Sequence, residues 1–161
     1  MTSTNLLLMR HAKSDWSTGA SSDFARPLNQ RGRRDAPRVA AWLAENSLVP
    51  DLVVSSPSAR TRETLMLMCK HEAWDHVDVE FESDLYMASS RNVQIMTERY
   101  VTDTTRTMIL AHNPGLEYWL EEQFGPLDES DEEKVMPTAA VAMIDWFESK
   151  NLAGITRPRT L

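Results

Sequence analysis

Cysteine is almost absent from this chain, with Cys69 the only one in 161 residues. An intramolecular disulfide framework is therefore excluded, and the usage fits a reducing compartment. A cysteine-based phosphatase loop would need an arginine a few residues on, whereas Lys70, His71, Glu72, Ala73, Trp74 and Asp75 follow Cys69. Cys69 reads instead as a small buried residue near a helix end. Long hydrophobic runs are missing as well. The longest, such as residues 65–69, are far too short to cross a bilayer, and no charged leader precedes an apolar segment at residues 1–5. Those absences predict a cytoplasmic protein with no membrane partner. A basic surplus is also lacking: 17 Lys and Arg against 24 Asp and Glu give a formal charge of −7, which argues against general nucleic-acid binding. No glycine-rich loop ending in Lys-Ser or Lys-Thr occurs, which disfavours nucleotide kinases and GTPases. His71 and His76 lack the helix-face spacing of metal ligands, so no metal or cofactor is expected.

What remains is an ordinary globular composition, 42% hydrophobic and 25% charged, at a length that predicts one domain over residues 1–161. Strand and helix patterns alternate. Asn5-Leu6-Leu7-Leu8-Met9 is a short apolar run with polar flanks, the pattern of a strand buried on both faces. After a polar loop over residues 13–25, Asn29 is placed to cap a helix reaching Asn46, with Ala36, Val39, Ala40 and Leu43 inward; Gly32 and Pro37 weaken its first two turns. Residues 51–55 form a second strand, and Ser56-Pro57-Ser58 caps a helix over residues 59–70. Residues 77–81, alternating apolar and acidic, suit a strand near a sheet edge. A helix capped at Ser89 or Ser90 reaches Tyr100, and strands at 107–111 and 139–146 flank a helix over 116–124. The acidic run at 128–133 reads as a solvated loop, and the tail after Trp146 has no clear pattern. The alternation predicts an α/β chain, a three-layer α/β/α sandwich around a mainly parallel sheet.

Three strand ends share one chemical character. The first delivers Arg10 and His11, the second Ser55-Ser56-Pro57-Ser58-Ala59-Arg60, and the fourth His112. In a parallel sheet all three open on one edge, where such folds bind ligands. Arginines offer paired donors matched to phosphate oxygens. The helix start near Ala59 would add free backbone N–H groups. A neutral imidazole can attack phosphorus and later leave, while a second can stabilise the transferred group. Singly, Arg60 could pair with Glu63 and His112 could be a core histidine. Together they point to a site for a tetrahedral anion.

These residues resemble the histidine phosphatase superfamily, the phosphoglycerate mutase-like group, and within it the SixA-type bacterial phosphohistidine phosphatases. The resemblance rests on Leu8-Met9-Arg10-His11-Ala12-Lys13-Ser14, on Arg26-Pro27-Leu28 with Gly32, on residues 54–64, and on Leu110-Ala111-His112-Asn113-Pro114-Gly115. It implies a phosphoglycerate mutase-like fold and a metal-independent phosphatase in which His11 becomes phosphorylated while Arg10, Arg60 and His112 bind the phosphoryl group. Ser14 would line the same pocket, and Asp84 is the best match to the acid that protonates leaving groups in many members, although it could equally be a turn residue. Ala12 stands where the superfamily usually has glycine, which requires an ordinary φ there. The implied partner is a phosphorylated protein such as a histidine-containing transfer domain, or a small phosphoester. A small-molecule phosphomonoesterase and a binding module without turnover are the alternatives, and a mutase fits less well because the short segments between strands leave the pocket open.

Overall fold

A computed structural model of the chain describes residues 3–127 and 135–161. Among the described residues a single six-stranded sheet is built from β1 (Leu6–Arg10), β2 (Leu52–Ser55), β3 (Asp78–Phe81), β4 (Thr107–Ala111), β5 (Val141–Asp145) and β6 (Asn151–Thr156), in the order β3-β2-β4-β1-β5-β6. The β3-β2-β4-β1 half is parallel and β5 and β6 are antiparallel. The helices are α1 (Gln30–Glu45), α2 (Ala59–Met68), α3 (Ser90–Tyr100) and α4 (Gly115–Phe124).

The run Leu6-Leu7-Leu8-Met9 becomes β1 because both of its faces are covered. Successive side chains of a strand point to opposite faces. Leu7 and Met9 accordingly join Ala36, Val39, Ala40 and Leu43 of α1 and Leu65 and Met68 of α2. Leu6 and Leu8 join Val93 and Met96 of α3 and Leu116, Trp119 and Leu120 of α4. The chain runs outward from β1 to β2 and β3, then returns to place β4 between β1 and β2, and the covering helix changes face when the direction changes, as right-handed crossovers require. That reversal opens a crevice beyond the carboxyl ends of β1 and β4.

Most boundaries follow local chemistry. Asn29 caps α1 through its side-chain oxygen, which accepts from Gly32 N at 2.9 Å, and Ser89 caps α3 through Asn92 N at 3.3 Å. Ser58 holds the cap position of α2, but its hydroxyl lies 2.7 Å from Thr61 Oγ1 and makes no capping bond to the backbone. All four residues of β3 are exposed, as an edge strand with alternating acidic residues should be. The tail supplies a strand the sequence did not reveal: β6 carries Asn, Ala, Gly and Thr and is only partly buried, so its pattern is weak, and backbone pairing to β5 defines it. The acidic run at 128–133 lies outside the described residues. Among the described residues no helix is long and apolar enough to cross a membrane.

Gly32 is required by contact. A Cβ there would stand 2.2 Å from the Lys13 carbonyl oxygen, because the first turn of α1 lies against the backbone just after His11. Gly32→Ala is expected to lower stability by about 1–3 kcal/mol, the usual range for overpacking, and to lower activity with it. Gly19→Ala, which meets nothing within 4 Å, should change neither. Denaturant unfolding of the two variants checks both statements.

Candidate active site

β1 hands Arg10 and His11 to the crevice, β4 hands it His112, and the helix after β2 hands it Arg60, while the ladder continues past the strand ends to hold the backbone that carries them. His11 N donates to Ala111 O at 3.2 Å and Ser56 N to Leu110 O at 3.0 Å, so the segments carrying His11, Ser56 and His112 keep the register of the sheet. His11 and His112 come to face one another with ring centroids 5.2 Å apart. Arg10, His11, Ser14, Arg60 and His112 line one cavity of about 170 Å³.

His11 is buried, and its Nδ1 lies 2.7 Å from the Ala12 carbonyl oxygen. A carbonyl only accepts, so the ring proton of neutral His11 sits on Nδ1 and the lone pair on Nε2. Ala12 is fixed in turn, its N–H donating to Thr64 Oγ1 at 3.1 Å. It is absent from the positive-φ residues, so alanine meets no backbone penalty where glycine is usual. His112 Nε2 lies 2.8 Å from Ser56 Oγ.

Burial, reinforced by neighbouring cations, depresses both imidazoles. His11 is pushed down to about 3, chiefly by desolvation, then by His112, Arg60 and Arg10 against the opposing Ala12 bond. His112 is likewise pushed down to about 3 by desolvation and then Arg60. Both rings are therefore neutral near pH 7, the form a nitrogen nucleophile requires. The Arg10 guanidinium is lowered too, first by burial, with Glu117 opposing the shift. Arg10 Nη1 donates to Met136 O at 3.2 Å, while Arg10 Nε, Arg60 Nε and His112 Nδ1 are buried without a hydrogen-bond partner among the described residues. The two guanidinium Nε–H groups among them are unpaired buried donors on residues that line the cavity, which suits an acceptor-rich ligand.

The polar loop over residues 13–25 contributes what sequence reading missed. Asp23 enters the cavity and pairs with Arg60 twice, its backbone oxygen accepting from Nη1 at 2.9 Å and Oδ2 from Nη2 at 3.1 Å. Oδ2 also accepts from Tyr86 Oη at 2.6 Å, and Oδ1 accepts from Arg26 Nη2 at 3.0 Å. These bonds, that from Tyr86 first, hold the Asp23 carboxyl down to about 2. Arg26 also donates to Ser14 Oγ, and its guanidinium stacks 3.7 Å from the centroid of Trp16. The available signal was the placement of Asp23 three residues before Arg26, obscured by a loop without periodicity.

Two expectations are corrected. Asp84 does not reach the cavity: the turn Ser83–Leu85 buries Leu85 and leaves Asp84 exposed, with its backbone oxygen accepting from Asn92 Nδ2 at 3.2 Å. At the amino end of α2 one backbone N–H is already engaged, since Ala59 N donates to Phe24 O at 2.9 Å and so ties down the loop that carries Asp23. Glu63 does not pair with Arg60; it accepts from Leu28 N at 3.0 Å and bridges to Arg33 at 3.5 Å. Among the described residues no group of three His, Cys, Asp or Glu is placed to hold a metal ion.

The sequence matches the family model of the histidine phosphatase superfamily (branch 1) over residues 6–86, half of the chain and the part that carries Arg10, His11, Asp23 and Arg60. The chain belongs to the histidine phosphatase superfamily. An uncharacterised chloroplastic protein of Arabidopsis thaliana is 33% identical over 123 residues, which is 71% of this chain and 56% of that protein. The chain thus spans little more than half the length of that relative. Of solved structures, the Agrobacterium tumefaciens protein assigned as the phosphohistidine phosphatase SixA is 28% identical, with a TM-score of 0.79 over 98% of this chain and 100% of that one. A protein histidine phosphatase SixA complexed with tungstate shares the fold at 22% identity and a TM-score of 0.73, covering 96% and 97%. A phosphoglycerate mutase of Bacillus anthracis shares it at 13% and 0.66, covering 88% of each chain. The α/β/α sandwich is the fold these superfamily structures share.

The depressed histidines make stability depend on pH. Unfolded histidine titrates near 6.5, so between that value and about 3 the unfolded chain binds two protons that the folded chain refuses at His11 and His112. The stability from their neutral burial is complete above pH ~6.5 and is lost as pH falls towards 3. His11→Gln should therefore flatten the fall of unfolding free energy between pH 6 and 4 by roughly one proton, about 1.4 kcal/mol per pH unit. Equal slopes for wild type and variant would show that His11 titrates normally.

Proposed function

We propose that this protein is a phosphatase working through a phosphohistidine at His11, without a metal, on phosphohistidine in a partner protein. The observation that carries this reading is the fixed tautomer of His11. With Nδ1–H given to Ala12 O, Nε2 holds a lone pair at neutral pH beside two guanidiniums and a second imidazole. In the first step Nε2 attacks phosphorus and the bond to the leaving group breaks with its electron pair. In the second, water attacks phosphorus and the pair of the P–Nε2 bond returns to His11. Arg10, Arg60 and His112 bind the phosphoryl oxygens and stabilise their charge, and Ser14 steadies Arg26 at the rim. The tungstate bound by one SixA neighbour, a tetrahedral oxyanion, supports an oxyanion ligand for this crevice.

Leaving-group chemistry favours phosphohistidine over alkyl phosphates. An alkoxide needs a proton delivered in the transition state. Asp84 is outside the cavity, and Asp23 is held ionised by Tyr86, Arg26 and Arg60. Imidazole, protonated near pH 6.5, leaves without such help. A metal-free panel of a phosphohistidine peptide, a phosphorylated histidine-containing transfer domain, an aryl phosphate and a sugar phosphate tests the assignment. Wild type should cleave the first three far faster than the sugar phosphate. His11→Ala should abolish turnover, Arg10→Ala and Arg60→Ala should each lower it by on the order of a hundredfold or more, and Arg33→Ala and Asp84→Asn should leave it near wild type. Full turnover in His11→Ala, or equal losses in Arg33→Ala and Arg60→Ala, would contradict the reading.

A further inference from the structure

Asp23 is the only carboxylate lining the cavity of His11 and His112 among the described residues, and it comes from a loop pinned at both ends. Asp15 N donates to Pro27 O at 2.9 Å, Ala59 N holds Phe24 O, and Ser14 bridges to Leu28. The carboxylate is therefore presented at a fixed place on the cavity wall. Its acceptor positions are shared among Arg26 on Oδ1 and Arg60 and Tyr86 on Oδ2. Arg60 is common to Asp23 and to the phosphoryl position, so a phosphoryl group that draws the guanidinium to its own oxygens releases one acceptor position of Oδ2.

We infer that Asp23 determines specificity by accepting, at the Oδ2 position vacated by Arg60, an N–H from the leaving ring of a phosphohistidine. This inference rests on the phosphohistidine reading above and names the residue that selects the leaving group. A phosphohistidine ring protonated on its free nitrogen is the reactive form. As the new bond from His11 Nε2 to phosphorus forms, the substrate P–N bond breaks and its electron pair becomes the lone pair of the departing nitrogen. The ring leaves as neutral imidazole and keeps its proton on the other nitrogen, where Asp23 holds it, so no proton crosses to or from the enzyme. An alkyl phosphate presents no such N–H and finds at this wall only an ionised acceptor, which cannot donate to an alkoxide.

The groups facing Asp23 are Arg26 on its own loop, Arg60 on α2, Tyr86 before α3 and His112 after β4, with Lys13 on the same wall. Of these, the cations and the Tyr86 hydroxyl keep it ionised, and the neutral His112 ring does not compete for its charge. A carboxylate within hydrogen-bond reach raises the value at which a bound ring loses its proton, by about 1–3 units for a close opposite charge. The alkaline limb of kcat therefore lies higher with Asp23 than without it.

The test is kcat against pH from 6 to 9 for wild type, Asp23→Asn and Asp23→Glu, on a phosphohistidine peptide and on p-nitrophenyl phosphate, whose leaving group has no ring N–H. Asp23→Asn should move the alkaline limb for the peptide to lower pH by on the order of one unit and leave the p-nitrophenyl phosphate limb in place, whatever its overall rate. Asp23→Glu should restore the wild-type limb. Retained p-nitrophenyl phosphate turnover shows that the variant is folded. Unmoved limbs, equal movement for both substrates, or loss of both activities that Asp23→Glu does not rescue would overturn the role of Asp23 and leave the phosphohistidine reading standing. A wild type that cleaves p-nitrophenyl phosphate and not the peptide would overturn both.

Discussion

The 2.7 Å contact between His11 Nδ1 and the Ala12 carbonyl oxygen decides which nitrogen of His11 carries the lone pair, and much of the surrounding structure keeps that carbonyl in place. Ala12 N is tied to Thr64 on α2, and Lys13 O accepts from Asn29 N at 2.9 Å where α1 begins. The close approach at Gly32 lets α1 press on the same backbone. His11 itself hangs from the last ladder bond of β1, a strand covered on both sides by helices. The start of α1, the middle of α2 and the central strand thus converge on the backbone of residues 11–13. A single rotamer and tautomer are what such convergence provides, as the proposed role of His11 as nucleophile requires.

The crevice also resolves a conflict of charge. The chain carries a formal charge of −7, yet three of its arginines, Arg10, Arg26 and Arg60, are gathered in one small cavity. Like charges that close are costly unless balanced. Asp23 balances Arg26 and Arg60, and Glu117, which also accepts from Asn113 Nδ2 and Met136 N at 2.9 Å, lies near enough to Arg10 to favour its charged form. Neither carboxylate bonds to an imidazole. The cations therefore stay charged and the histidines stay neutral, which is the division of labour that transfer to a nitrogen nucleophile needs.

Much of this was legible in the sequence because the informative residues sit at strand ends. The apolar run before Arg10, the capping residues Asn29 and Ser89, and the helical spacing of Ala36, Val39, Ala40 and Leu43 each encode local structure, and the parallel order then brings His11 and His112 to one edge. What was not legible depends on contacts between distant segments. β6 is held by pairing to β5 and has little pattern of its own. Asp84 was placed by position after the third strand, and the side on which a single turn exposes its residues is set by packing of Leu85. Asp23 belongs to a loop whose path is fixed by Phe24 O meeting α2 and by Ser14 pairing with Leu28. Gly32 looked like a weakness in α1 and is the condition for its close packing.

In the proposed reaction the backbone chooses Nε2 of His11 as the attacking atom. The most direct measurement is heteronuclear NMR on protein with ¹⁵N-labelled histidine, exposed briefly to substrate and quenched at alkaline pH, where a phosphorus–nitrogen bond persists. Phosphorus–nitrogen coupling to Nε2 of His11 is expected, with Nδ1 still protonated. Coupling to Nδ1, or a phosphoryl group on any other residue, would contradict the proposed reaction.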